Sequence, residues 1–184
     1  KELELKNKIL FNMSVTDELT KIYNRHHLMN RLLEELQRSA RHKCPFALII
    51  FDIDFFKKVN DNYGHVVGDA VLRQIAGLVK NRIRREDIFG RYGGEEFLLI
   101  LPNTLAKSAF LVAEKLRETI AETPVITNQT KVHITASFGI TDNVNTFTSL
   151  DDLIHQADMA LYSAKESGRN QSFIYNKSTC NPFN

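Results

Sequence analysis

The chain has 184 residues, a length that suits one globular domain with a short appendage. Hydrophobic residues make up 43% and charged residues 25%, which argues against a disordered or fibrous chain, and no apolar run approaches the roughly 18 residues of a membrane-spanning helix. Lysines and arginines number 24 against 22 aspartates and glutamates, for a net charge of +2. This balance gives no sign of a nucleic-acid partner, so any phosphate binding must depend on local groups.

The two cysteines lack the spacing of a metal or redox motif and are compatible with a reducing cytoplasm. We expect a half-buried core thiol at Cys44 and a tail thiol at Cys180. The sequence shows no signal peptide, and it begins at Lys1 rather than at a methionine. We therefore expect a cytoplasmic domain cut from a longer protein, whose membrane attachment the sequence leaves open.

The first third of the chain predicts two helices and a strand. Residues 1 to about 16 carry apolar residues at helical spacings and form either a docked end helix or the tail of a helix from an upstream domain; we favour the second. Thr16 or Asp17 is expected to cap a second helix that ends near Lys43. The apolar run at 46–51 then predicts a strand buried on both faces.

The rest of the chain alternates between helices and strands. The pattern predicts helices at 55–62, 68–84, 104–122 and 149–167, and strands at 87–92, 95–101, 131–141 and 172–175. Gly93-Gly94 is expected to form a two-residue hairpin turn, where glycine readily takes a positive φ. This order predicts an α/β fold, an α+β sandwich with helices over a central, mostly antiparallel sheet.

Two aspartates stand at the end of the most apolar strand. Because side chains alternate across a strand, Asp52 and Asp54 share one face. A buried carboxylate is costly without a partner, so this pair marks a candidate site. The alternative is structural: the strand has reached solvent, or Asp54 caps the next helix.

Two glycines followed by two acids open the strand at 95–101. Exposure to water at a hairpin tip explains a single acid. Gly93-Gly94 directly before Glu95-Glu96 instead favours a place where a ligand approaches the backbone. If this strand lies beside the first, Asp52 and Glu95 converge. Convergent carboxylates with a backbone carbonyl suit Mg²⁺, and two such ions commonly serve nucleotidyl transfer. P-loop and Rossmann glycine motifs are absent from the sequence.

The polar segment 60–69 lies between these motifs. Structurally, it is a loop in which Gly64 ends one helix and Asp69 caps the next. Functionally, a carboxylate accepts hydrogen bonds from guanine N1 and N2, and an asparagine amide meets donors or acceptors. Asn60 with Asp69 therefore suits guanine better than adenine.

Four ordered segments resemble the GGDEF domains, the diguanylate cyclase family, over about residues 16–176. They are 17–20 with 24–25, 51–61 with 64–65 and 68–69, the GGEEF form of the signature loop at 91–97, and 157–162 with 164–165 and 168–170. His26 and His27 stand where the family often carries a further arginine, and we interpret them as surface residues. We expect a linker or signalling helix at 1–16, the cyclase domain at 17–176 and a tail at 177–184.

The resemblance implies the palm-type fold of nucleotidyl cyclases and the condensation of two GTP into cyclic di-GMP, with release of two pyrophosphates. In a homodimer, each subunit would present one GTP to the other. Asp52, the Ile53 carbonyl and Glu95 would hold two Mg²⁺ ions, with Mn²⁺ as a substitute, and Glu96 would supply or position a further ligand. Glu95 is also the family's candidate general base, a role that suits a metal-bound carboxylate poorly.

The resemblance also assigns residues to the nucleotide. Gly93 and Gly94 would bring backbone N–H groups to the phosphates, and Asn60 and Asp69 would read guanine. His65 would lie beside the nucleotide or serve as a structural residue at a helix end. Three cations would contact or screen the triphosphate, or else be solvated surface groups: Lys57, Lys165 and Arg169.

Arg84 and Asp87 resemble the family's RxxD site, which binds the cyclic di-GMP product. Arginine forks onto a phosphate or a guanine edge, and aspartate accepts from guanine N–H groups. The alternative is a charged turn between a helix and a strand. The resemblance thus implies feedback inhibition and an upstream sensory or dimerisation domain. The alternative function is a catalytically silent receptor for GTP or cyclic di-GMP.

Overall fold

The computed structural model describes residues 15–127, 130–144 and 149–176. Nearly all of the helix expected at 1–16, the tail at 177–184 and Cys180 lie outside these residues. Within them, Cys44 is half-buried with a free thiol, as expected.

The described residues contain five helices and seven strands. The helices are α1 (Arg25–His42), α2 (Phe56–Tyr63), α3 (His65–Lys80), α4 (Ala106–Glu122) and α5 (Leu150–Glu166). The strands are β1 (Phe46–Ile53), β2 (Ile88–Arg91), β3 (Glu96–Pro102), β4 (Val125–Thr127), β5 (Thr130–Val132), β6 (Ala136–Asp142) and β7 (Ser172–Ile174).

The main sheet has the strand order β2-β3-β1-β6-β7. Its pairs are antiparallel except for β6 with β7, which run parallel. Every residue of β1 is buried, as its unbroken apolar run predicts. The expected α/β sandwich with a mostly antiparallel sheet is confirmed.

Helices cover both faces of the sheet because β1 sends alternate side chains to opposite sides. Ile49 and Phe51 pack into a core with α3 and α4, and Leu48 and Ile50 pack into a second core with α1 and α5. The ring centroids of Phe51 and Phe138 lie 4.7 Å apart, so aromatic packing holds the end of β1 just before Asp52.

Helix α1, which corresponds to the second helix expected from the sequence, begins later than expected. Asn24, and neither Thr16 nor Asp17, is the N-cap of α1, and its side chain accepts from His27 N at 2.9 Å. Lys21 has a left-handed backbone with φ 57°, which interrupts any helix started at residue 17. Asp17 instead closes a turn by accepting from Thr20 N at 2.9 Å.

The strand expected at 131–141 is two strands in different sheets. β5 pairs with β4 in a separate two-stranded sheet, and β6 pairs with β1. The alternation of apolar and polar residues runs through the break at 133–135, so the sequence pattern could not reveal it. Asp54 N donates to Thr135 O at 2.9 Å within this break.

Candidate active site

The pairing of β1 with β3 brings three acidic side chains together. Asp52 lies opposite Glu96 in the strand register, and Ile53 N donates to the carbonyl of Glu95 at 3.4 Å. Burial raises the pKa of Asp52 to about 6; Lys165 opposes this rise, while Glu95 and Glu96 add to it by repulsion. The site therefore carries more negative charge than its own cation balances.

The cation beside this acidic cluster is Lys165, whose Nζ lies 3.1 Å from Oδ2 of Asp52. It reaches Asp52 because α5 packs very closely on the sheet. A Cβ added to Gly139 of β6 would overlap the backbone of Ala157 and Leu161 on α5. Glycine at this position is thus what allows Lys165 to reach the end of β1.

The donors at this site suit Mg²⁺ only in combination with other oxygens. Among the residues that the structure describes, no three histidine, cysteine, aspartate or glutamate side chains are arranged to hold a metal ion. Mg²⁺ is usually held by one or two carboxylates, with substrate phosphates and water completing its shell. Asp52 with Glu95, the Ile53 carbonyl and a bound triphosphate would together make a donor set of that kind.

The tip between β2 and β3 differs from the expected two-residue turn. It spans residues 92–95, and neither Gly93 nor Gly94 has a positive φ. Tyr92 N and Gly93 N both donate to the carbonyl of Glu96, at 2.8 and 3.1 Å, which lengthens the turn. A Cβ at Gly93 would lie 2.6 Å from Oε2 of Glu96, so a larger residue there would displace the end of that side chain.

Arg91 fixes this tip and joins it to the start of the domain. Its Nε and Nη2 donate to the carbonyl of Gly94 at 3.0 and 2.7 Å, and its Nη1 lies 3.3 Å from Oδ1 of Asp17. Burial alone would raise the pKa of Asp17, but hydrogen bonds from Thr20 and the charge of Arg91 outweigh it and hold that pKa below its usual value.

We expect Arg91→Ala to lower the free energy of unfolding by about 1–3 kcal/mol, because it removes charge-assisted bonds from a carbonyl and leaves Asp17 without its cation. Urea denaturation would measure the change. Arg73→Ala, at an exposed position on α3, is the matched control and should change stability by less than about 0.5 kcal/mol. Equal stability of the two variants would contradict this role.

The guanine-reading candidates flank the junction of α2 and α3. Asn60 and Asp69 are half-buried, and a Cβ on Gly68 would overlap Oδ1 of Asn60, so the two helices meet there closely. Gly64, with φ 84°, ends α2 as expected. Asp69 lies within α3 and caps nothing, because that helix already begins at His65.

The remaining predicted cations take different positions. Lys57 is exposed in the first turn of α2, and His65 is exposed as the first residue of α3. Arg169 is half-buried, and its guanidinium carbon lies 4.6 Å from the ring centroid of Phe55. Lys165 and Arg169 thus have partners in the structure, Asp52 and Phe55, whereas Lys57 and His65 face solvent.

Arg84 and Asp87 form the charged turn before β2. Arg84 N donates to Oδ2 of Asp87 at 2.8 Å, and Asp87 N donates to Arg84 O at 3.2 Å. Burial raises the pKa of Asp87, opposed by the backbone bond and the charge of Arg84. Arg84 is exposed, so its guanidinium is available to a ligand while Asp87 shapes the turn.

Sequence analysis assigned no role to two residues of this region, Arg91 and Asp158. Arg91 stands in the signature loop, but no role was assigned to it. Asp158 lies on α5 seven residues before Lys165; desolvation and then repulsion from Glu96 raise its pKa. Helical spacing could have placed Asp158 on the same face as Lys165. Asp54 is buried and hydrogen-bonded, so neither structural alternative for it is correct.

The raised pKa of Asp52 predicts how stability changes with pH in the metal-free chain. Because folding raises this pKa from 3.8 to about 6, the folded chain binds the proton more tightly than the unfolded chain. The proton on Asp52 stabilises the folded chain fully only below the unfolded pKa of 3.8, and about 3 kcal/mol of this stabilisation is lost as pH rises through 6. Asp52→Asn lacks this contribution, so its stability relative to the parent should rise by about 2.5 kcal/mol between pH 4 and 7.5. Urea denaturation in EDTA would measure this, and a constant difference would contradict it.

Residues 14–171 match the family described as Diguanylate cyclase, GGDEF domain. The chain belongs to this family. None of the helices in the described part of the chain is long and apolar enough to cross a membrane.

Individual relatives agree with this assignment. The chain is 36% identical over 172 residues to Diguanylate cyclase A of Treponema denticola, covering 92% of this chain but only 46% of that protein. It is similar to the coiled coil and GGDEF domain of DgcB from Caulobacter crescentus, solved in complex with c-di-GMP, with a TM-score of 0.88, 27% identity and 94% and 92% of the two chains covered. It also resembles the active GGEEF domain of a Vibrio cholerae diguanylate cyclase, with a TM-score of 0.79, 36% identity and 84% and 97% covered.

Proposed function

We propose that this chain is a catalytic domain that condenses two GTP into cyclic di-GMP and two pyrophosphates. The observation that carries the proposal is the convergence of Asp52, Glu95 and Glu96 where β1 ends and β3 begins. One lysine opposes three carboxylates there. Membership in the diguanylate cyclase family supports it. The half-buried Asn60 and Asp69 supply acceptors and donors that match guanine.

In the proposed reaction, the 3′-hydroxyl of one GTP attacks the α-phosphorus of the other; a P–O bond forms and pyrophosphate leaves. A second such attack closes the ring. Asp52, Glu95 and the Ile53 carbonyl would hold Mg²⁺, or Mn²⁺ in its place, with Glu96 beside them. The bound ions would neutralise phosphate charge and favour ionisation of the attacking hydroxyl. Glu95 is the candidate acceptor of the hydroxyl proton.

The other residues would bind and orient the nucleotide. Gly93 leaves room for Glu96 and keeps the tip backbone open to the phosphates. Lys165 is positioned to move from Asp52 to a triphosphate oxygen, while Arg169 and Lys57 would screen the remaining phosphate charge. The product has two-fold symmetry, so two such sites must face each other, and we propose a homodimer as the active state.

Product formation from GTP with Mg²⁺, followed by chromatography across a range of protein concentrations, tests this function. Because separate domains must meet to react, the rate per subunit should rise with protein concentration until the dimer forms. A rate per subunit that is independent of concentration would contradict the dimeric site. Nucleotide binding without any product, even after dimerisation is enforced through the 1–16 segment, would favour the silent receptor.

We further propose that Arg84 and Asp87 bind cyclic di-GMP and inhibit the enzyme. The exposed guanidinium of Arg84 lies at a turn that Asp87 holds through the Arg84 backbone. We expect Arg84→Ala to weaken cyclic di-GMP binding at least tenfold, measured by calorimetry, because a charge-assisted bond is lost. Arg82→Ala, two residues away and also exposed, is the control and should bind as the parent does. Unchanged binding of cyclic di-GMP to Arg84→Ala would show that this turn is not the binding site.

A further inference from the structure

Asp54 is a buried acid that the proposed reaction does not use. It follows β1 directly and is only 4% exposed. Its Oδ2 accepts from Thr135 Oγ1 at 2.6 Å and from Asn170 N at 3.0 Å, and its Oδ1 accepts from Ser137 Oγ at 2.7 Å. A carboxyl group buried to this extent requires such donors in place of water.

One of those donors belongs to a strained loop. Gly168, Arg169 and Asn170 follow α5 with φ values of 113°, 63° and 46°, and two of them are not glycine. Consecutive left-handed residues persist only where surrounding contacts hold them. The Asn170 N–H bond to Asp54 is such a contact, and Arg117 Nη1 supports it from the other side by donating to Asn170 Oδ1 at 3.1 Å.

Asp54 is linked to both partners of a stacked pair. Phe55 is its chain neighbour, also left-handed with φ 55°, and its exposed ring lies under the guanidinium of Arg169 at 4.6 Å. Arg169 in turn precedes Asn170, whose N–H binds Asp54. Asp54 is therefore joined to the ring through the chain and to the guanidinium through the Asn170 N–H bond.

We propose that Asp54 is a positioning residue that sets the place of Arg169 over Phe55, and with it the strength of triphosphate binding. It touches neither metal nor nucleotide in this role. The inference rests on the proposed function, in which Arg169 meets the triphosphate. It assigns the second aspartate of the Asp52-Ile53-Asp54 segment a task separate from that of the first.

The test is a double-mutant cycle with 3′-deoxy-GTP and Mg²⁺, since this nucleotide lacks the attacking hydroxyl and cannot react. Calorimetry would compare the parent, Asp54→Ala, Arg169→Ala and the double variant. Each single change should weaken binding about tenfold, and the double variant should bind no more weakly than Arg169→Ala. Asp54→Asn should bind within about threefold of the parent, because its amide oxygen still accepts from Asn170 N.

Two controls separate positioning from general damage. Asp142→Ala removes another carboxylate that accepts a backbone N–H, that of Ala106 at 2.8 Å, and should leave nucleotide affinity unchanged. Amide hydrogen exchange at Asn170 should accelerate in Asp54→Ala and stay slow in Asp54→Asn. If Asp54→Ala does not fold, Asp54→Ser takes its place, since its hydroxyl stays polar but is too short to reach Asn170.

Two results would overturn the inference. Additive losses in the double variant would mean that Asp54 acts independently of Arg169. A loss in Asp54→Asn as large as in Asp54→Ala would indicate that the negative charge itself binds a ligand. Failure of the parent to bind 3′-deoxy-GTP would overturn the proposed function instead; Asn170 exchange would then decide whether Asp54 holds the loop.

Discussion

Glu95→Gln is expected to lower turnover of GTP by about a thousandfold or more while the domain remains folded. Glutamine keeps the shape of the side chain but removes the negative charge. That charge is needed both to hold a divalent cation and to accept a proton, and the loss of one preorganised electrostatic group at a reacting centre costs two to three orders of magnitude in rate. Glu95 precedes β3 and is half-buried, so the substitution places no new group in the core.

Chromatographic product assays at a protein concentration where the parent forms a dimer would measure this effect. Circular dichroism would check the fold, and Glu122→Gln, at an exposed position on α4, is the matched control, expected to retain full activity. Activity of Glu95→Gln within tenfold of the parent would show that the acidic cluster is not the reaction centre. A folded, inactive variant that still binds 3′-deoxy-GTP would separate chemistry from binding.

Asp69→Asn is expected to lower kcat/KM for GTP about a hundredfold. A carboxylate accepts from both N1 and N2 of guanine, whereas an amide turned toward these donors presents a further donor to one of them. Leaving a bound polar group without a partner is what gives such sites their selectivity. Asp69 is half-buried next to Gly68, where α3 meets α2 at Asn60, so its environment reduces competition from water.

Comparison of GTP with inosine triphosphate makes this prediction specific. Inosine triphosphate lacks the N2 amine, so the parent should prefer GTP, and Asp69→Asn should lose most of that preference. Asp61→Asn, exposed on α2, is the control and should keep both the rate and the preference. An Asp69→Asn variant that still prefers GTP as strongly as the parent would move guanine recognition to other residues.

The fold followed from the sequence wherever the pattern is local. The unbroken apolar run at 46–51 predicted a strand buried on both faces, and β1 is such a strand, with β3 and β6 beside it and helices over both faces of the sheet. Helix boundaries were less accurate. Asp17 and Asn24 are equally good caps by type, and the left-handed Lys21 between them, which decides the outcome, has no signature in its own side chain.

The glycine signature was located correctly, but its conformation was not. Gly93 and Gly94 predicted a tight turn with positive φ; instead Gly93 makes space for the side chain of Glu96. A glycine can be needed for its positive φ or for its small size. Which of the two applies depends on the residues that pack against it, and these are known only from the tertiary structure. The break at 133–135 is similar, because alternation alone does not say which sheet a strand joins.

The sequence by itself determined the residue types that any nucleotide chemistry here must use, since Asp52, Glu95, Asn60 and Asp69 stand out from their apolar or helical surroundings. Only the tertiary structure decided which charges share a site. Strand pairing brings Asp52 to Glu96, and close packing of α5 brings Lys165 to Asp52. Such contacts join residues far apart in the chain, and their pKa values and partners depend on burial and distance, which no local pattern encodes.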